Sequence, residues 1–137
     1  MNYAVLVPEL RDDPLSRGYA GMTDAEVAAA LNVVDRTRKR DTLTSAQIYE
    51  AIVTADFQAL SDGAKVYVRD ILGLGGDIAV GSGSKARAVL IAVFGIGSAT
   101  IAALAGALNE SISRASELGL PRPSSGHIKS AREIING

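Results

Sequence analysis

The residues with the clearest chemical potential are Arg36, Arg38, Lys39 and Arg40, the only basic cluster in the chain, flanked by Asp35 and Asp41. Closely spaced Lys and Arg side chains neutralise phosphates or dock on an acidic protein surface. The same pattern also suits a solvated loop balanced by its own aspartates, so three readings remain open for this cluster. A second stretch, 73–84, carries Gly73, Gly75, Gly76, Gly81 and Gly83 and invites a phosphate cradle built from backbone amides. Its spacing fails: a P-loop needs Gly-Lys-Ser or Gly-Lys-Thr five residues after its first glycine, whereas Gly76 is followed there by Gly81-Ser82. Ser82-Gly83-Ser84-Lys85 matches the Ser-x-x-Lys nucleophile pattern, but its partner motifs are absent and the chain is too short for that fold. His127 is the single histidine, so no histidine pair for a metal exists, and a lone histidine near a helix start reads as a surface residue. Glu110, Glu117 and Glu133 read as solvated helix faces, because nothing in the sequence places two carboxylates across a pocket. No catalytic, cofactor-binding or metal-binding set emerges, and the chain reads as a non-enzyme.

Composition narrows the class further. A chain of 137 residues reads as one domain spanning 1–137, long enough for a modest core. Apolar residues make up 47% but aromatics only 4%, with no Trp, so the core must be built from Ala, Val, Ile and Leu. The absence of cysteine excludes disulfides and thiol catalysis and suits a protein made in a reducing compartment. A formal charge of −1 argues against a protein that coats nucleic acid, since such domains carry a basic excess; any contact with DNA must be local. The opening MNYAVLVPELRDD lacks the positive start of a signal peptide. Residues 88–108 carry no charge and are long enough to span a bilayer, but Gly95, Gly97 and Ser98 interrupt them, so they read as two helices meeting at a glycine corner and not as a membrane span.

Hydrophobic periodicity and capping residues give an all-α reading. The longest helix starts at Ala99, capped by Ser98, and ends at Leu118 before Gly119 and Pro121. Ile101, Leu104, Ala105, Leu108, Ile112, Ala115 and Leu118 fall on one stripe of it. Around it, six to seven shorter helices and long ordered loops are expected. Two capping boxes, Thr23 with Glu26 and Thr44 with Gln47, open helices that run to about Val34 and Val53. Ser61 opens one that stops at Gly73, another runs from Lys85 to Phe94, and Ser124 or Ser125 caps the last, with Ile128, Ala131, Ile134 and Ile135 inward. At the N-terminus, Pro8 implies a kink or a late helix start. Residues 12–21 read as an ordered loop anchored by Leu15 and Tyr19, 35–41 as a loop, and 73–84 as a loop in which 77–80 could be extended.

Three blocks carry a resemblance: Asp13-Pro14-Leu15-x-Arg17-Gly18-Tyr19-x-x-Met22-Thr23-Asp24, then Phe94-Gly95-x-Gly97-Ser98-Ala99-Thr100, then Ser113-Arg114-Ala115-x-Glu117-Leu118-Gly119-Leu120. Together they resemble a family of small structural proteins of tailed bacteriophages, over nearly the whole chain. The chain departs from that pattern at Val7-Pro8, where a polar helical pair is more usual, and at Ile101, where a basic residue is common. The resemblance implies a virion structural protein made in the host cytoplasm. By fold-level analogy it implies a head-to-tail adaptor, a cyclic homo-oligomer docked on the portal that extends the DNA channel and meets neck or tail proteins. Capsid decoration and tail completion are the alternative virion positions. A small helical DNA-binding regulator is a further alternative, disfavoured because neither capped helix offers a basic recognition face. Arg36, Arg38, Lys39 and Arg40 are the candidate contacts to packaged DNA or to a protein partner.

Overall fold

A computed structural model describes all residues, Met1–Gly137. The chain is 59% helical and 12% strand, which makes it mixed α/β and overturns the all-α expectation. Helices α1 (Tyr3–Asp12), α2 (Asp24–Asn32), α3 (Ser45–Ala51), α4 (Thr54–Gln58), α5 (Asp62–Gly73), α6 (Lys85–Phe94), α7 (Ala99–Ala107), α8 (Arg114–Glu117) and α9 (Ser125–Asn136) are joined by strands β1 (Val34–Lys39), β2 (Thr42–Thr44), β3 (Asp77–Ala79) and β4 (Asn109–Ser113). A single 3-10 turn covers Tyr19–Gly21. The strands form two separate antiparallel pairs, β1 with β4 and β2 with β3.

The expected long helix from Ala99 to Leu118 does not exist. It breaks after Ala107 into β4 and the short α8. Asn109, Ser111 and Ser113 are weak helix formers whose side chains compete for backbone hydrogen bonds, and Ile112 favours extended backbone. The Ser113 hydroxyl then accepts from the Ser116 amide and starts α8 afresh. The supposed stripe is correspondingly divided: Leu104, Ile112 and Ala115 are buried, Leu108 is half-buried and Ala105 is exposed. Arg36, Arg38 and Lys39, expected in a loop, belong instead to β1, which begins at Val34 directly after Val33 caps α2, while Arg40 follows the strand. Helix α1 starts at Tyr3 and runs through Pro8, so its start is not delayed.

The chain divides into two compact units, 1–38 with 111–137 and 39–110. In the first, α9 packs on α1 and α2, and α2 packs on α8. Its core holds Leu6, Tyr19, Val27, Leu31, Ile128 and Ala131, each at most 1% exposed. Helix α2 opens with the capping box of Thr23 and Glu26. Helix α9 opens with a third box, in which Ser124 accepts from the His127 amide and the His127 ring accepts from the Ser124 amide. In the second unit, α3 packs on α5, α7 and β2, and α6 packs on α5, α7 and β3. The β2–β3 register pairs Leu43 with Ile78, and both side chains enter a core completed by Ile48, Ile71, Leu90 and Leu104. Gly75 and Gly76 both hold positive φ (68° and 59°), a backbone that side-chain-bearing residues adopt at a cost, and this turns the chain from α5 into β3.

Candidate functional site

Placing the basic cluster on a strand changes what its cations can do. Within the first unit the Arg36 guanidinium forks onto Glu117, with Nε to Oε2 at 2.9 Å and Nη2 to Oε1 at 3.1 Å. Glu117 also accepts from Arg114 Nη1 at 2.9 Å. Arg114 in turn makes a second fork, donating from Nε and Nη2 to the two oxygens of Glu9 at 2.9 and 2.7 Å. Glu9 is 4% exposed and also accepts from the Tyr19 hydroxyl at 3.2 Å. The result is one chain of ion pairs, Arg36 to Glu117 to Arg114 to Glu9, that runs from the strand into the core and ends on a buried phenol.

The electrostatics follow from the geometry. The Arg36 fork and then Arg114 hold the Glu117 carboxyl down to about 2. Hydrogen bonding to Glu9 raises the Arg114 guanidinium further above its ordinary value against the opposing effect of burial. Burial, followed by the Glu9 charge, pushes the Tyr19 phenol well up. Arg36, Arg114, Glu117 and Tyr19 are therefore each held in the protonation state they have at neutral pH. None of these four groups is set to exchange a proton near neutral pH, as general acid–base work requires.

The rest of the cluster is placed as follows. In the second unit the Arg40 amide donates to the Leu108 carbonyl at 2.8 Å, and its guanidinium stands 3.7 Å from Glu110 while its Nε is buried without a partner. Lys39 and Arg38 are exposed. Of the flanking aspartates, Asp35 accepts from Arg17 at 2.8 Å while its charge also acts on Arg36, and the Asp41 carbonyl accepts from the Val80 and Gly81 amides. The other candidates have structural employment. Ser84 caps α6 by accepting from the Arg87 amide, so Ser82-Gly83-Ser84-Lys85 is a helix start. His127 completes the α9 cap through Nδ1, 3.1 Å from the Ser124 amide. No group of three His, Cys, Asp or Glu side chains is placed to hold a metal, and no helix is long and apolar enough to cross a membrane.

Sequence reasoning missed Glu9 and Asp56. Asp56 Oδ2 accepts from the Thr100 amide at 2.9 Å and from its hydroxyl at 2.7 Å, while Thr100 Oγ1 accepts from the Val53 amide at 3.0 Å. Thr100 is fully buried, so this cluster locks the start of α7 inside the second unit. For Glu9 the available signal was a carboxylate on the apolar face of α1, one turn from Leu6 and beside Leu10.

The blocks noted in the sequence account for much of this. Asp13 takes the left-handed C-cap position of α1, and its carboxylate accepts from the Arg17 and Gly18 amides at 2.8 and 2.6 Å. This turn delivers Tyr19 to Glu9, while the Ser113–Leu120 block delivers Arg114 and Glu117 to the same network. Comparison of the chain with protein-family models, curated proteins and solved structures yields no match.

Proposed function

We propose that the protein is a virion structural protein of a tailed bacteriophage, most specifically a subunit of the head-to-tail adaptor ring that docks on the portal and extends the DNA channel. The assignment to a phage rests on the resemblance of the three sequence blocks. The observation that supports the structural role is the convergence of two of those blocks on the Glu9–Arg114–Glu117–Arg36 chain, where Tyr19, Arg114 and Glu117 hold the fold together. The remaining block forms the α6–α7 corner and supplies Thr100 to its cluster with Asp56. In this reading the exposed cations of β1 face packaged DNA or an acidic neighbouring protein.

Immunogold labelling of purified particles tests the proposal. A label at the neck vertex is expected. Label spread over the capsid faces would assign the chain to decoration, label at the tail to completion, and its absence from particles would remove the virion reading.

A further inference from the structure

The second unit holds an apolar pocket of about 70 Å³ between α6 and α7, lined by aliphatic side chains that include Leu90, Ile101 and Leu104. Arg87 is its single charged lining residue. Arg87 and Ala105 are exposed at its mouth. The Arg87 guanidinium enters no ion pair or hydrogen bond, since only its backbone amide is engaged, by Ser84. A pocket of this kind offers water almost nothing to bond with. Measured against the cavity of about 150 Å³ that holds benzene in a protein core, it suits one branched aliphatic side chain of about four carbons.

The same unit displays such a side chain. Ile96 is 80% exposed, the most exposed large apolar residue of the chain. It stands at the α6–α7 corner between Gly95, whose φ is +85°, and Gly97. Leaving an isoleucine in water forgoes the favourable free energy of burying it. At the same corner, Asp56 uses only Oδ2 to hold Thr100, and its Oδ1 accepts nothing. One end of the α6–α7 pair thus carries an apolar knob beside a carboxylate with spare acceptor capacity. The groove of the pair carries an apolar hole beside an unpaired guanidinium.

We propose that the α6–α7 pocket of one copy receives Ile96 of a second copy, with Asp56 of the incoming corner facing Arg87 at the pocket mouth. Charge complementarity selects the occupant: Arg87 is the one charge at an otherwise apolar pocket, and the chain's own corner supplies both the aliphatic group and the opposite charge. Knob and hole are different surfaces, so the contact is heterologous and each copy can accept one neighbour and enter another, which closes into a ring or extends as a filament. The proposal gives the adaptor ring its subunit contact and rests on that reading for its biological setting, while the contact itself is a property of the purified chain.

Sedimentation velocity of the full chain, from micromolar to sub-millimolar concentration, is expected to show self-association. Ile96→Asp spoils the knob and Ala105→Trp fills the hole; each is expected to raise the dissociation constant at least about tenfold, as loss of a central interface anchor does. Mixing the two variants is expected to restore a one-to-one complex, because one retains an intact pocket and the other an intact Ile96. Circular dichroism establishes that both variants fold, and Arg87→Glu replaces Ala105→Trp if the latter does not. A wild-type chain that stays monomeric, variants that associate as tightly as wild type, or a mixture that stays apart would each overturn the contact. A pocket that binds isovalerate in a chain that does not self-associate would overturn it too, assigning the hole to a small carboxylate. Neck labelling reads the function separately: association without label removes the virion setting and keeps the contact, and label without association does the reverse.

Discussion

Glu9 is the residue whose environment demands most from its neighbours. A carboxylate 4% exposed is tolerable only while Arg114 and Tyr19 satisfy its oxygens. Arg114→Met should therefore cost about 3–5 kcal/mol in urea melts, the penalty of leaving a buried charge without its partner. A loss below about 1 kcal/mol would mean that water reaches Glu9. At the outer end of the same chain, Glu117 is held at about 2, against an ordinary 4.5. Its folded-state value is depressed, so its stabilising contribution is complete above 4.5 and is lost as the pH falls from there toward 2. The Glu117 side chain is 29% exposed, so solvent screening limits that contribution to about 1 kcal/mol. Melts of wild type and Glu117→Gln should accordingly differ at neutral pH and converge in acid, whereas a pH-independent gap would show that the carboxylate charge is not what matters.

At the scale of elements, the short helices depend on their first turns. Only α1, α5, α6 and α9 reach three turns or nearly so, and helices of this length are marginal without caps and packing. The α7 start is the most exacting, because Asp56 satisfies both the amide and the hydroxyl of the fully buried Thr100. Asp56→Ala should cost about 1–3 kcal/mol, while Asp56→Asn, which keeps an acceptor, should cost less. Equal losses would point to the charge at the helix terminus instead of the hydrogen bonds. For α9, Ser124→Ala should cost about 1 kcal/mol through loss of the cap. His127→Gln should stay within about 0.5 kcal/mol, since glutamine is the usual acceptor at that position of a capping box. A thermal melt of each variant reads both effects.

For the whole molecule, the ion pairs of Arg36 and Arg40 mean that these charges serve the fold before they serve any partner. A solvated loop would have let all four cations be neutralised with no effect on stability. With Arg36 tied to Glu117 and Arg40 beside Glu110, Arg36→Gln combined with Arg40→Gln should instead lower stability by about 1–2 kcal/mol, while Lys39→Gln should stay within about 0.5 kcal/mol. If β1 also contacts DNA or an acidic subunit, Lys39→Gln should reduce the yield of infectious particles while leaving the melt unchanged; normal yield would confine the strand to its structural part. The sequence by itself determined five helix starts: Thr23, Thr44, Ser61, Ser98 and Ser124 each cap a helix, because a cap bonds to an amide three residues away and leaves its signature within one turn. It determined the glycine corner at Gly95 for the same reason, since a positive φ is a property of one residue. Only the tertiary structure decided that 34–39 and 109–113 are strands. A strand is stabilised by a partner elsewhere in the chain, and the pattern of 99–118 satisfied helical periodicity until β1 offered its hydrogen bonds. It likewise decided the Glu9–Arg114 pair, whose members lie 105 residues apart. Such a pair has no local trace, because the energy that selects it appears only when folding removes both charges from water.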